Sequence, residues 1–167
     1  MSGRSSARDG EVAQLLVLLD QAFERKSWHG PNLRGSIRGL SAADATWRPG
    51  AGRHCIAEIA VHAAYWKYAV RRRLTGEKRG SFALVGSNWF PVEASYSEQS
   101  WHKHVAMLQS EHRQLRDAVA DLLAKDLPGR PAGGKVTRLD LIHGIAAHDL
   151  YHAGQIQTIK GLMKNRK

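Results

Sequence analysis

Apolar residues recur at steps of three and four along most of the chain, and this spacing predicts amphipathic helices rather than strands. The run Trp101, Val105, Leu108 and His112 is the clearest example. Four long helices are predicted, over about residues 11–28, 55–74, 97–127 and 137–162.

Polar and glycine- or proline-rich signals mark where these helices begin and end. Ser41 to Asp44 and Thr137 to Asp140 match the capping-box pattern, so they start a short helix and the fourth long helix. The connection over residues 77–95 is long enough to cross the end of a bundle. We therefore predict an all-α four-helix bundle with a long crossover between helices 2 and 3. A length of 167 residues predicts a single domain over 1–167, with its core at about 11–163 and frayed tails.

Composition narrows the class of protein. Hydrophobic residues make up 43% and charged residues 24%, which is typical of a globular domain. With Cys55 alone, the chain can form no internal disulfide and no cysteine-based zinc cage. The chain starts with polar residues, and its most apolar stretch, 56–66, is interrupted by Glu58 and His62. We therefore expect a cytoplasmic protein without a membrane span.

The net charge of +10 brings polyanions into consideration. Basic residues cluster in two places, at 71–79 and in a tail formed by Lys160, Lys164, Arg166 and Lys167. No zinc-finger, RNA-recognition or leucine-zipper signature accompanies them, so we favour a solvated basic face over a nucleic-acid site. Anionic small molecules would also be attracted.

The buried face predicted for the fourth helix has a polar centre. It contains Leu141, Ile145, His148, His152, Gln155, Ile159 and Leu162, at alternating steps of four and three. Burying polar side chains is costly unless each finds a partner. Asp149 and Tyr151 point elsewhere on this helix.

Two histidines four residues apart on one helix face can share a metal ion. His148 and His152 have that spacing, and His62 lies at the inward edge of the second helix and offers a third ligand. Three imidazoles suit zinc, nickel, copper or iron, and leave an open position typical of a catalytic site. The alternative is a layer of buried histidines that fixes the packing of the bundle through hydrogen bonds.

Other residues are secondary candidates for the chemistry. Gln155 could orient a bound water or substrate, and Glu58 could be a ligand, a base, a partner of a ligand or a surface residue. Cys55 is either a reactive thiol at a helix N-terminus or a small buried residue. We expect His112 in the core, His102 and His104 on the surface, the tryptophans packed, and Trp66 and Trp89 as pocket walls.

Two stretches resemble the motifs of the DinB-like (DinB/YfiT) superfamily. These are Gly144-Ile-Ala-Ala-His148-Asp-Leu-Tyr-His152-Ala-Gly-Gln155-Ile156 and Gly52-Arg-His-Cys-Ile-Ala-Glu-Ile-Ala-Val-His62-Ala-Ala-Tyr-Trp66. The segments 28–31, 48–49 and 89–91 are similar as well, so the resemblance covers about residues 11–163. One departure is Cys55, where many relatives have a helix-capping serine.

The resemblance implies an up-down-down-up bundle, often a homodimer, with a divalent metal held by three histidines that match His62, His148 and His152. Some relatives are thiol transferases that use bacillithiol, mycothiol or glutathione, or isomerases of the maleylpyruvate type. We therefore expect a metal-binding protein, with zinc, nickel or iron. Its leading function is a thiol S-transferase acting on a small thiol and an electrophile. The alternatives are a metal-dependent hydrolase and a non-enzymatic, metal-stabilised stress or binding module.

Overall fold

The regular structure of this protein is helical throughout the part that the computed structural model describes, residues 3–164, with side chains from residue 10 onwards. The helices there are α1 Gly3–Phe23, α2 Leu33–Ser36, α3 Ala42–Thr46, α4 Ile56–Thr75, α5 Glu98–Ala120 and α6 Arg138–Lys164, with a short 3-10 turn at Ala124–Asp126. This confirms the all-α class and the four long helices. Arg166 and Lys167 of the predicted frayed tail lie outside the described residues.

The predicted capping box at Ser41 forms in full, and at Thr137 the cap of the helix amide forms. The amide of Asp44 donates to the Ser41 hydroxyl, and the amide of Ser41 donates to the Asp44 carboxylate. At the start of α6, the Asp140 amide donates to Thr137 Oγ1 over 3.1 Å. The α4 helix begins after Cys55, and the Cys55 amide donates a hydrogen bond to the Glu58 carboxylate. A carboxylate near a helix N-terminus also interacts favourably with the helix dipole.

Three predicted helix ends differ from the structure. The α1 helix begins at Gly3 instead of residue 11, because its first turns lack the apolar repeat from which the helix was predicted. It ends at Phe23 instead of residue 28, and the Asn32 side chain then donates to the Arg25 carbonyl. The α5 helix ends at Ala120 instead of residue 127, since the chain turns at 124–126 to bury Leu127.

The four long helices contact one another in a closed order. Helices α4 and α5 form the most extensive pair, α6 lies against both α4 and α1, and α1 also contacts α5. Large apolar side chains such as Leu19, Phe23, Leu108 and Leu115 are buried between them. The predicted packing of the tryptophans is wrong for Trp28, which is 98% exposed because α1 has already ended before it.

An unpredicted polar network lies in this core. Lys67 of α4 and Asp149 of α6 are fully buried and form an ion pair. The Lys67 ammonium also lies 3.4 Å from Nδ1 of His112, which stacks on Phe23. Asp149 does point away from the histidine face, as expected, but it points into a second buried layer rather than to solvent.

The connection over residues 76–97 folds back along α4. Phe82 and Phe90 lie against Tyr65, with ring centroids 5.4 and 5.6 Å away. These aromatic contacts bring Asn88 and Trp89, which lie between the two phenylalanines in the chain, to His62 on α4.

Candidate metal centre

Three imidazoles from two helices meet in the middle of the molecule. His62 lies on α4, and His148 and His152 lie one turn apart on α6. Nε2 of His148 is 3.1 Å from Nε2 of His62 and 3.0 Å from Nε2 of His152. The side chains at the three predicted positions therefore converge.

The far side of two rings is held by a hydrogen-bond acceptor. Nδ1 of His62 donates to the carbonyl oxygen of Asn88 over 2.8 Å, and Nδ1 of His152 donates to Oε1 of Gln155 over 2.7 Å. A neutral imidazole carries a proton on one nitrogen only, so Nε2 of both rings has a free lone pair. Metal-binding histidines are commonly oriented in this way.

All three rings are neutral near pH 7. Burial, helped by the neighbouring imidazoles, lowers the pKa of His148 to about 3. Burial also lowers the pKa of His152 to about 4 and holds that of His62 below its ordinary value. A metal ion therefore does not have to displace a proton from an imidazolium.

The donor set fits a cation. His148 Nε2 can carry one proton at most, so it can donate to only one of the two lone pairs that face it at about hydrogen-bond distance. The other pair of Nε2 atoms then has no proton between them, and so close a contact is unfavourable unless a positive charge lies nearby. The group of His62, His148 and His152 could hold a metal ion, because its ligand atoms all lie within 4.8 Å of one another.

Trp89 and Trp66 form walls of this centre, as predicted. Trp89 is stacked between His62, with centroids 3.9 Å apart, and His54, with centroids 3.6 Å apart. Trp66 lies 6.4 Å from His62 and 6.3 Å from His148. His148 is the least buried of the three histidines and gives the centre its contact with solvent.

Asn88 is a site residue that the sequence did not reveal. Besides accepting from His62, it accepts the indole N–H of Trp66 through its side-chain oxygen over 3.0 Å. Its φ of 65° is left-handed, a conformation that asparagine tolerates better than most residues. The only signal was its position next to Trp89 in the long connection.

Glu58 is buried rather than on the surface. Its carboxylate accepts from Arg48 Nη1 over 2.9 Å, lies 3.1 Å from His54 Nδ1, and accepts the amides of Cys55 and Val92. Burial alone would raise its pKa, but the hydrogen bonds from Arg48 and His54 lower it below its ordinary value. Glu58 is not one of the converging ligand groups among the described residues; it supports His54, which lies against Trp89.

The remaining candidates separate into site and core residues. Gln155 binds His152 on one side and donates to the Tyr151 hydroxyl on the other. Cys55 is fully buried, and burial raises the pKa of its thiol, which favours the small buried residue over the reactive thiol. His112 is buried, as expected. His102 is exposed, whereas His104 is half-buried, with Nδ1 2.8 Å from the Tyr96 hydroxyl.

The fold and this centre define a class: an all-helical protein with a three-histidine cluster that could hold a metal ion. The family model of the DinB superfamily matches residues 27–156, a range that includes all three histidines. The chain belongs to the DinB superfamily. No curated protein and no solved structure matches the chain.

Proposed function

We propose that this protein binds a divalent transition metal through His62, His148 and His152 and uses it to activate a small thiol for transfer to an electrophile. The observation that carries the proposal is the convergence of three neutral imidazoles, two of them with Nδ1 bonded to a fixed acceptor. A divalent ion, when bound, lowers the pKa of a coordinating thiol so that the thiolate forms near neutral pH. Zinc, nickel and iron all suit such ligands.

The transfer itself is a substitution. The sulfur of the thiol forms a bond to an electrophilic carbon while the bond from that carbon to its leaving group breaks. The leaving group departs with the bonding electrons, and the proton lost by the thiol passes to the solvent or to a basic leaving group. No oxidant or reductant is needed.

The chain's own residues orient the metal ligands and enclose the reactants. Gln155 is held between His152 and Tyr151 by two hydrogen bonds, so it fixes the His152 ring from the side that faces away from Nε2. Trp66 and Trp89 provide flat apolar walls that exclude water from this side of the centre. We assign Gln155 as a positioning residue that orients the His152 ring and Glu58 as a positioning residue that acts through His54 and Trp89.

The test combines metal loading with a conjugation assay. Protein loaded with zinc, nickel or iron is mixed with glutathione, bacillithiol or mycothiol and 1-chloro-2,4-dinitrobenzene, and release of chloride and formation of the thioether are followed. The wild-type protein should react, and the variant His148→Ala should not. His143→Ala is the matched control, because His143 is exposed on the same helix.

Three outcomes would contradict the transferase proposal, and the last two of them would point to another function. Equal reaction by the wild type and His148→Ala would end the transferase proposal. Turnover of an ester, amide or phosphate substrate without thiol conjugation would favour a metal-dependent hydrolase. Metal binding that raises the melting temperature without any turnover would favour a non-enzymatic, metal-stabilised module.

We also propose that the four long helices form the up-down-down-up bundle implied by the resemblance, and that two copies associate as a homodimer. Sedimentation equilibrium of the purified protein tests the dimer, and a monomer over the micromolar range would contradict it.

None of the helices in the described part is both long and apolar enough to cross a membrane. The cytoplasmic location stays a prediction.

A further inference from the structure

A cleft of about 630 Å³ lies beside the metal centre, between the second half of α4 and the connection that follows it. Its walls include the flat rings of Tyr65, Trp66 and Phe82. A volume of this size accommodates a small organic molecule.

The cleft is lined by three arginines, Arg72, Arg73 and Arg79, and no carboxylate is among the described residues that line it. The neighbouring carboxylate of Glu77 is paired with Arg71 over 2.6 Å, outside the cleft. We name this region, with its three arginines, the arginine cleft. Its charge is therefore positive and uncompensated along its own lining.

Two of the arginines are oriented by the structure. The guanidinium of Arg73 lies over Trp66, 6.0 Å from the ring centroid, and Arg72 Nη1 donates to the Glu77 carbonyl over 3.4 Å. Each guanidinium carries five N–H donors, so most of them remain for a ligand. Arginine matches carboxylate and phosphate oxygens with pairs of parallel hydrogen bonds.

The arginine cleft and the metal centre share two residues. Asn88 lines the cleft and accepts from His62, and Trp66 lines the cleft with its ring centroid 6.3 Å from that of His148. Trp66 and Asn88 therefore stand between a molecule bound in the cleft and the imidazole cluster and contact both.

We infer that the arginine cleft binds small organic anions, molecules with a carboxylate or phosphate group and a flat apolar body. The anionic group pairs with Arg72 and Arg79, and the apolar body lies against Trp66 and Phe82. As a statement about the substrate class of the metal centre, this rests on the proposed function. The binding of such anions in the cleft does not depend on it.

The direct test is a calorimetric titration with 2-naphthoate, 2-naphthyl phosphate and the neutral analogue 2-naphthylmethanol. At least one anion should bind about tenfold or more tightly than the alcohol, because a charge-assisted hydrogen bond is lost in the alcohol. Whichever of the two anions binds more tightly shows whether the cleft prefers a carboxylate or a phosphate group. Equal binding of all three probes would overturn the inference.

The matched variants locate the binding. Arg72→Gln with Arg79→Gln should weaken anion binding by about tenfold or more. Arg38→Gln with Arg130→Gln removes the same charge from exposed positions elsewhere and should change it by less than about twofold. If both double variants weaken anion binding equally, the loss is due to the lower net charge of the protein. The arginine cleft is then not the binding site.

The same titration with metal-loaded, chelator-treated and His148→Ala protein separates this inference from the proposed function. Binding that depends on Arg72 and Arg79 but not on metal supports the cleft. Binding that disappears with the metal and ignores the arginines means that the probe is a metal ligand, which overturns the inference. Metal content, measured separately, decides the proposed function whatever the titration shows.

Discussion

At the scale of single residues, each ring of the histidine cluster is held differently. His62 is bonded to a backbone carbonyl, which a side-chain substitution cannot remove, and His152 is bonded to the side chain of Gln155. Nδ1 of His148 is buried without a hydrogen-bond partner in the described part of the chain. Substitution of Gln155 is therefore the most direct test of how ring orientation supports the metal centre.

Gln155→Leu should weaken metal affinity by about 10–100-fold, because His152 loses the acceptor that orients its ring. Gln155→Glu keeps an acceptor at that place and should retain the affinity. A competition titration with a chromophoric chelator measures both. Gln157→Leu is the control on the same helix, and an equal loss in Gln157→Leu would contradict the assigned role of Gln155.

Glu58 gives the protein a predicted acid sensitivity. Its pKa is lower in the folded protein than its ordinary value near 4.5, so its contribution to stability is present above that value and is lost as pH falls through the lower, folded-state pKa. Glu58→Gln should lower the free energy of unfolding at pH 7 by about 1–3 kcal/mol, because hydrogen bonds to a charged group are lost.

Urea denaturation between pH 7 and pH 3 measures this. The difference between the wild type and Glu58→Gln should shrink as the pH falls below about 4.5. Glu11→Gln, at an exposed carboxylate, is the control. A difference that stays constant over the whole range would show that Glu58 contributes through packing and not through its charge.

At the scale of elements, the site residues of α6 could be predicted from the sequence, and the site residue of the long connection could not. The alternating steps of four and three place His148 and His152 on one buried face, because a helix repeats every 3.6 residues. No such periodicity governs a connection. The location of Asn88 depends on a left-handed backbone turn and on aromatic contacts to α4, which form only when the helices have packed.

The pairing of Lys67 with Asp149 could not be predicted from the sequence for a related reason. The two residues are 82 positions apart, and each alone resembles an ordinary surface residue of an amphipathic helix. Burial lowers the pKa of Lys67 and raises that of Asp149, while each charge moves the other's pKa back. The pair therefore links α4 to α6 next to His148, in a layer where neither residue can be unpaired at low cost.

Lys67→Met alone should cost about 3–5 kcal/mol of stability, because it leaves the Asp149 carboxylate buried without its partner. Adding Asp149→Val should recover a large part of this loss, since neither charge then remains in the core. Denaturant unfolding of the two single variants and the double variant gives the coupling energy. Costs that simply add would mean that the two side chains do not act as a pair.

At the scale of the whole molecule, the histidine cluster joins α4 to α6 across 86 residues of sequence. A metal ion bound there stabilises the folded state, because the unfolded chain does not bring the ligands together. At a free metal concentration about a thousand times the dissociation constant, this is worth about 4 kcal/mol.

Removing the metal with a chelator should therefore lower the melting temperature of the wild type, by about 8–16 °C for a domain of this size. His148→Ala should melt at the same temperature with and without the chelator. Differential scanning calorimetry provides the comparison. A chelator effect of the same size in both proteins would place the stabilising ion elsewhere.

Metal content is the most direct test of the central claim that three imidazoles share one divalent ion. Elemental analysis is applied to purified, metal-loaded wild type, His62→Ala, His148→Ala, His152→Ala and the control His143→Ala, after dialysis and a circular-dichroism check of helix content. Wild type and His143→Ala should retain one transition-metal ion per chain, and the other three variants should lose it. Folded variants that all keep the metal, or a wild type that keeps none, would contradict the claim.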